Sequence, residues 1–269
     1  MALPPAHHLP MSPGRRLTLA IGSPLALAAI GWGSLSVVSA VGQAGYHTQA
    51  TIPVHGTRFT LDGGDGSITL APSGDGQVHL QALVHYSLIR ASVSWTTTSQ
   101  GVVIKSRCPL PTPLGCSFVY HLTVPPGLIV SASASSGDID ASGLKGGATL
   151  STDSGDLVVN GLAGPLRLDS DSGNVVGTGL KGGSVRARSD SGDVSLRFAR
   201  VPADVRATTD SGDVAIALPP GPASYLVGTS SGSGSSSVKV PTSSASPHHI
   251  HAATDSGDIS VVTERGTGP

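Results

Sequence analysis

The sequence predicts an all-β fold: a single-stranded β-helix or β-solenoid of stacked 18–20-residue coils, preceded by one N-terminal transmembrane helix. Three observations predict it. A Ser-Gly-Asp tripeptide recurs through the C-terminal half, short runs of alternating apolar residues separate its copies, and a long uncharged segment lies near the N-terminus.

The tripeptide appears as Ser136-Gly137-Asp138, Ser154-Gly155-Asp156, Ser172-Gly173-Asn174, Ser191-Gly192-Asp193, Ser211-Gly212-Asp213 and Ser256-Gly257-Asp258. A degenerate copy reads Ser231-Gly232-Ser233. The glycines are 18, 18, 19, 20, 20 and 25 residues apart. Self-similarity at such a period marks a repeat architecture. After each turn comes a run such as Leu157 and Val159, or Val194 and Leu196. A second corner follows, as in Gly161-Leu162-Ala163-Gly164-Pro165, and then a second run such as Leu166 and Leu168. Period-two alternation bounded by turn residues reads as short strands with one buried face. Two such strands cannot bury a core alone, so successive units must stack. Seven units about 4.8 Å apart would rise about 30 Å.

Residues 45–127 read as irregular opening strands and 128–265 as the regular repeats, together one exported solenoid over 45–265. Gly64-Asp65-Gly66 and Gly74-Asp75-Gly76 flank a short strand. Longer strands are expected at 78–90, 92–98, 101–107 and 117–124, with a break at Pro125-Pro126-Gly127. The Ser/Gly-rich stretch 228–247 reads as a loop or a frayed coil, and Thr263–Pro269 as a short disordered end.

From Leu17 to Val41 there is no charged residue. Twenty-five residues in a helix span about 37 Å, enough for a hydrocarbon core of about 30 Å. Arg15 and Arg16 on the N-terminal flank place residues 1–16 as a short cytoplasmic tail and everything after residue 41 outside. Val38-Ser39-Ala40 and Gly42-Gln43-Ala44 would also serve as signal-peptide cleavage sites. The apolar run exceeds the usual h-region, which favours an uncleaved span. The expected location is the cell membrane, single-pass with the C-terminal domain extracytoplasmic; secretion after cleavage is the alternative.

Net charge is −1 and no Lys/Arg-rich run exists, so nothing points to nucleic acid. Sixteen acids are Asp against the single Glu264, and ten of those Asp lie within the repeated turn. Asp suits turns and caps, where its side chain closes on nearby backbone N–H groups. A sharper reading is a calcium ladder from Asp153, Asp171, Asp190 and Asp210, since stacked carboxylates repel unless hydrogen-bonded or bridged by a cation. A second column would come from Asp156, Asp193 and Asp213. The GGxGxD nonapeptide of known calcium-binding repeats does not stand here. Turn chemistry is therefore preferred, with no metal site and no cofactor.

Cys108 and Cys116 bracket a proline-rich loop, and an oxidising compartment makes a disulfide the natural reading. His248-His249-Ile250-His251 lacks a nearby carboxylate or thiol before Asp255 and reads as a solvated strand edge. No G-x-S-x-G elbow occurs, so no catalytic residue is assigned. Acidic turns on a solenoid face leave polysaccharide cleavage as a remote alternative.

A resemblance adds to this reading. The apolar span ending near Trp32-Gly33, the Cys pair, Tyr120-His121-Leu122-Thr123-Val124-Pro125-Pro126-Gly127 and the serial Ser-Ser-Gly-Asp units together resemble the bacterial putative-adhesin family, a domain of unknown function, in its membrane-anchored actinobacterial type. The resemblance covers residues 46–265. It implies a single-stranded β-helix outside the membrane and brings no catalytic residues. The expected role is a non-enzymatic, membrane-anchored adhesin or cell-envelope binding module, its partners the membrane and an envelope glycan or a membrane protein. An envelope-sensing or scaffolding partner of a signalling system is the alternative.

Overall fold

A computed structural model describes residues 43–109 and 115–264. The tail expected at 1–16 and the span expected at 17–41 lie outside the described residues. Among the described residues no helix is long and apolar enough to cross a membrane.

The described chain is all strand and turn, in two sheets of eleven and ten strands. Nine coils each give one strand to each sheet. In chain order they are β2 (Arg58–Asp62) with β3 (Gly66–Pro72), β6 (Gly101–Arg107) with β7 (Cys116–Val124), and β8 (Ile129–Ser136) with β9 (Ile139–Ser142). There follow β10 (Ala148–Ser154) with β11 (Leu157–Asn160), β12 (Leu166–Ser172) with β13 (Val175–Leu180), and β14 (Ser184–Ser191) with β15 (Val194–Phe198). The last are β16 (Asp204–Ser211) with β17 (Val214–Leu218), β18 (Leu226–Ser233) with β19 (Ser236–Lys239), and β20 (His249–Ser256) with β21 (Ile259–Thr263). Adjacent coils pair in parallel, as the repeat requires.

Three further strands close one end. β4 (Val78–Ser87) pairs antiparallel with β7, β1 (Gln43–Ile52) antiparallel with β4, and β5 (Ser92–Thr98) antiparallel with β6. The strand expectations over 78–124 hold, with β4 ending at Ser87 rather than residue 90.

Identical register stacks like residues into columns. Leu166, Val185, Val205 and Ile250 line one column of the first sheet. Leu157, Val175, Val194, Val214 and Ile259 line one of the second. All are buried. Each such side chain withdrawn from water stabilises by about 1.5–3 kcal/mol before the entropy of ordering the chain is subtracted.

Stacking does not follow chain order at either end, which corrects the simple serial picture. β8 and β9 lie on one side of β2 and β3, while β6 and β7 lie on the other. The chain first builds the closed end and then crosses back through Pro125-Pro126-Gly127. At the far end β20 and β21 stack on β16 and β17, and β18 and β19 form the outermost coil. The stretch 228–247, expected as a loop or a frayed coil, holds most of β18 and all of β19, the two strands of that terminal coil. The reason is compositional. β20 and β21 offer Ile250, Ala252, Ile259 and Val261, all buried, whereas β18 and β19 are Ser/Gly-rich and largely exposed. The weaker coil sits where only one side needs covering, as a capping repeat does.

Candidate binding face

The repeated turn carries two ladders of hydrogen bonds and a column of stacked glycines. First, the residue after each turn glycine accepts the backbone N–H of its counterpart in the next coil. Asp138 Oδ1 accepts from Asp156 at 2.9 Å, and Asp156 Oδ1 from Asn174 at 2.7 Å. Asn174 Oδ1 accepts from Asp193, Asp193 from Asp213, and Asp213 from Asp258. Asp258 closes the series on the backbone N–H and hydroxyl of Ser235, which together lower its pKa. The column of Asp156, Asp193 and Asp213 is therefore held by backbone donors, the arrangement by which a carboxylate tolerates close neighbours.

Second, from Gly155 onward, a hydroxyl three residues before the turn glycine donates to the glycine carbonyl of the preceding coil in the stack, a position that Ala134 occupies before Gly137. Thr152 donates to Gly137, Ser170 to Gly155, Ser189 to Gly173, Thr209 to Gly192 and Thr254 to Gly212. Third, the turn glycine backbones themselves stack. At Gly173, with φ +154°, an added Cβ would fall 2.0 Å from the Gly155 carbonyl oxygen, which no side chain can meet.

This geometry relocates the degenerate copy. Ser233 pairs with Ser256, so the turn is Ser233-Gly234-Ser235 rather than Ser231-Gly232-Ser233. Gly234, at φ +149°, takes the turn position, and Ser231 supplies the hydroxyl to the Gly257 carbonyl.

Asp153, Asp171, Asp190 and Asp210 do share a column, on the outward face of the ten-stranded sheet, and Asp255 continues it. Its local partner is a guanidinium: Arg188 lies 2.8 Å from Asp190 and 3.6 Å from Asp210. The bond to Asp190 is the main cause raising the pKa of Arg188. Among the described residues, no group of three or more His, Cys, Asp or Glu forms a potential metal site.

Four residues before Asp171, Asp190 and Asp210 stand Arg167, Arg186 and Arg206, in register with one another and with His251. Arg167 turns to Asp169 at 2.8 Å, whereas Arg186 and Arg206 make no ion pair among the described residues. The face thus presents a basic column and an acidic column, each repeating about every 4.8 Å along the stack. The Asp column was readable from the repeat. The Arg column was missed, although its fixed offset from each Asp-Ser-Gly was a usable signal.

The histidine cluster is not an edge. β20 lies inside its sheet between β16 and β18, with His249 and His251 exposed and His248 Nδ1 2.9 Å from the Pro202 carbonyl. Cys108 and Cys116 form a disulfide, with Cα atoms 5.9 Å apart, joining the two strands of the β6–β7 coil.

The family model described as Toastrack DUF4097 matches residues 129–262. No curated protein matches the chain. Among solved structures, a putative adhesin from Bacteroides fragilis is similar at 16% identity, covering 81% of this chain and 97% of its own, with a TM-score of 0.48. A putative cell adhesion protein from Clostridium sporogenes is similar at 8% identity over 82% of this chain and 100% of its own, with a TM-score of 0.38. A putative adhesin from Parabacteroides merdae shares 13% identity over 81% of this chain and 96% of its own, with a TM-score of 0.32. At these scores and identities the likenesses carry no argument about the binding face.

Proposed function

We propose, for a chain that belongs to the Toastrack DUF4097 family through residues 129–262, that it is a non-enzymatic, membrane-anchored extracytoplasmic module that binds a repetitive glycan of the cell envelope. The observation that carries this reading is the outward face of the ten-stranded sheet. There Arg186 and Arg206 stand side by side with no ion-pair partner among the described residues, and the Asp153–Asp171–Asp190–Asp210 column runs parallel four residues along each strand, beyond the Asp169–Arg188–Thr208 column. A flat face with a short axial repeat suits a polymer lying along the stack. Anionic substituents would meet the Arg column, where guanidinium binds them in bidentate fashion, and sugar hydroxyls would donate to the Asp column. Anchoring is supported by the uncharged segment 17–41 behind Arg15 and Arg16.

The test is retention of the full chain, in detergent, on purified wall glycan and on membrane-protein fractions. Retention on glycan, lost in Arg186→Glu/Arg206→Glu, is the expected result. Retention on a membrane protein alone would replace the glycan reading with the scaffolding one. New reducing ends in the glycan would overturn the non-enzymatic assignment, and retention on no fraction would overturn the proposal entirely.

A further inference from the structure

The closed end of the stack carries a tip that the repeat does not explain. Between β4 and β5 the chain turns through Leu88, Ile89 and Arg90. Ile89 N–H donates to the Ser87 carbonyl at 2.7 Å across Leu88, whose φ is +63°. A bulky residue at positive φ inside a three-residue turn is strained, and such strain persists only where neighbours hold it. Here the neighbour is β1. Tyr46 donates its hydroxyl to the Ala91 carbonyl at 3.0 Å, its ring lies 4.3 Å beneath the Arg90 guanidinium, and it packs edge-on against Tyr86 at 6.2 Å. The clamp holds two apolar side chains out in solvent: Leu88 is 52% and Ile89 50% exposed, the highest values among the exposed large hydrophobics. Trp95, 42% exposed, lies on β5 at the same end of the stack.

Two further observations say what covers the tip. Gln43 pairs with Ser87, the residue before Leu88. The expected span ends at Val41, two residues before Gln43, so no more than about 7 Å of extended chain separates its end from this corner. Charge is also polarised. From Gly76 to Gly137 there is no Asp or Glu, while Arg90, Lys105 and Arg107 stand exposed, and Arg107 is in register with Ser92 beside the tip. Fourteen of the seventeen acids follow residue 137.

From this juxtaposition we infer that the Leu88-Ile89-Arg90 tip docks on the anionic surface of the lipid bilayer, a reading that rests on the chain being anchored by residues 17–41. Leu88 and Ile89 enter the boundary between headgroups and acyl chains. Arg90 and Arg107 meet lipid phosphates, while Tyr46, Tyr86 and Trp95 lie at headgroup level, where amphipathic rings concentrate. The anchor alone would let the solenoid swing; a second contact beside it fixes the stack axis relative to the membrane.

The experiment reconstitutes the full chain in phosphatidylglycerol/phosphatidylcholine bilayers, with one spin label at a time. Labels replace the side chain in Leu88→Cys, Ile89→Cys, Leu27→Cys within the expected span, and Ser237→Cys on β19 at the far end. Relaxation by oxygen is compared with relaxation by a water-soluble nickel chelate. Labels at 88 and 89 are expected to be several-fold more oxygen-accessible, relative to nickel, than the label at 237, and less so when phosphatidylglycerol is omitted. If 88 and 89 match 237 while 27 reports lipid, the docking falls and the anchor stands. If 27 does not report lipid but 88 and 89 do, the anchored reading falls and the docking stands. If none reports lipid, both fall. Indifference to phosphatidylglycerol would overturn the anionic specificity.

Discussion

At the turn, what matters is which atom each carboxylate faces. Stacked acids about 4.8 Å apart should repel, yet each Oδ1 in the Asp138-to-Asp258 series accepts a backbone N–H from the next coil. Asn174 occupies one rung and accepts equally through its amide oxygen, so at the inner rungs acceptance suffices, whereas Asp258 at the end of the series also gains from its charge. Asp193→Asn should therefore leave the melting temperature nearly unchanged. Asp193→Ala, which strips the Asp213 N–H of its acceptor, should cost about 1–2 kcal/mol, lowering it by a few degrees. Equal effects of the two substitutions in thermal unfolding would refute this. Gly173→Ala drives a Cβ into the Gly155 carbonyl and should cost more than about 4 kcal/mol, the range that marks a forced backbone. Asp258 has a lowered pKa because Ser235 donates to it. Its contribution is thus present above the ordinary carboxylate value of 3.8 and is lost as pH falls through the depressed one. Melting curves of Asp258→Asn and the parent should differ at neutral pH and converge in strong acid.

Among the elements, the terminal coil is the informative one. β18 and β19 were hidden in a Ser/Gly-rich stretch because their apolar alternation is too weak to announce strands. Their strand character comes from pairing with β20 and β21, whose backbone groups need partners. Lys239 and the serines of β19 make a polar edge, which discourages further strand addition. Deleting residues 221–247 should expose the apolar-patterned β20–β21 edge and produce concentration-dependent association, visible in light scattering; a monodisperse monomer would contradict the capping role. Tyr225, just before β18, buries its hydroxyl without a hydrogen-bond partner among the described residues. Tyr225→Phe should therefore leave thermal stability equal or slightly higher, since it removes a desolvated hydroxyl without removing ring contacts.

For the whole molecule, the two ends differ in kind. One is closed by antiparallel strands that carry no Asp or Glu, with Arg90, Lys105 and Arg107 exposed and Asp62 in register with Lys105; the other by a polar coil. Between them the outward face of the ten-stranded sheet sets a basic column and an acidic one on either side of the Ser151–Asp169–Arg188–Thr208 column. Arg186→Glu/Arg206→Glu alters two exposed side chains that have no ion-pair partner among the described residues, so the melting temperature should change by no more than a degree or two. A large drop in scanning calorimetry would show that these arginines serve the fold rather than a ligand.

The sequence by itself determined the repeat, the all-β character of residues 43–264 and most strand bounds from Val78 to Val124, because each depends on local patterns such as period-two alternation and turn glycines, whereas the turn carboxylates, read as closing on nearby N–H groups, accept instead from the next coil. The Cys108–Cys116 pairing was equally legible, there being no other cysteine. Only the tertiary structure decided the order of the coils, the true position of the degenerate turn at Gly234, the interior placement of the histidine strand and the convergence of Tyr46, Leu88 and Ile89 beside Gln43. Those depend on which strand edges remain open when each coil arrives, and on how much apolar surface each can bury there. Residues 84–91 and 43–46 meet only because β1 takes the last free edge of β4, a long-range pairing that no local pattern encodes.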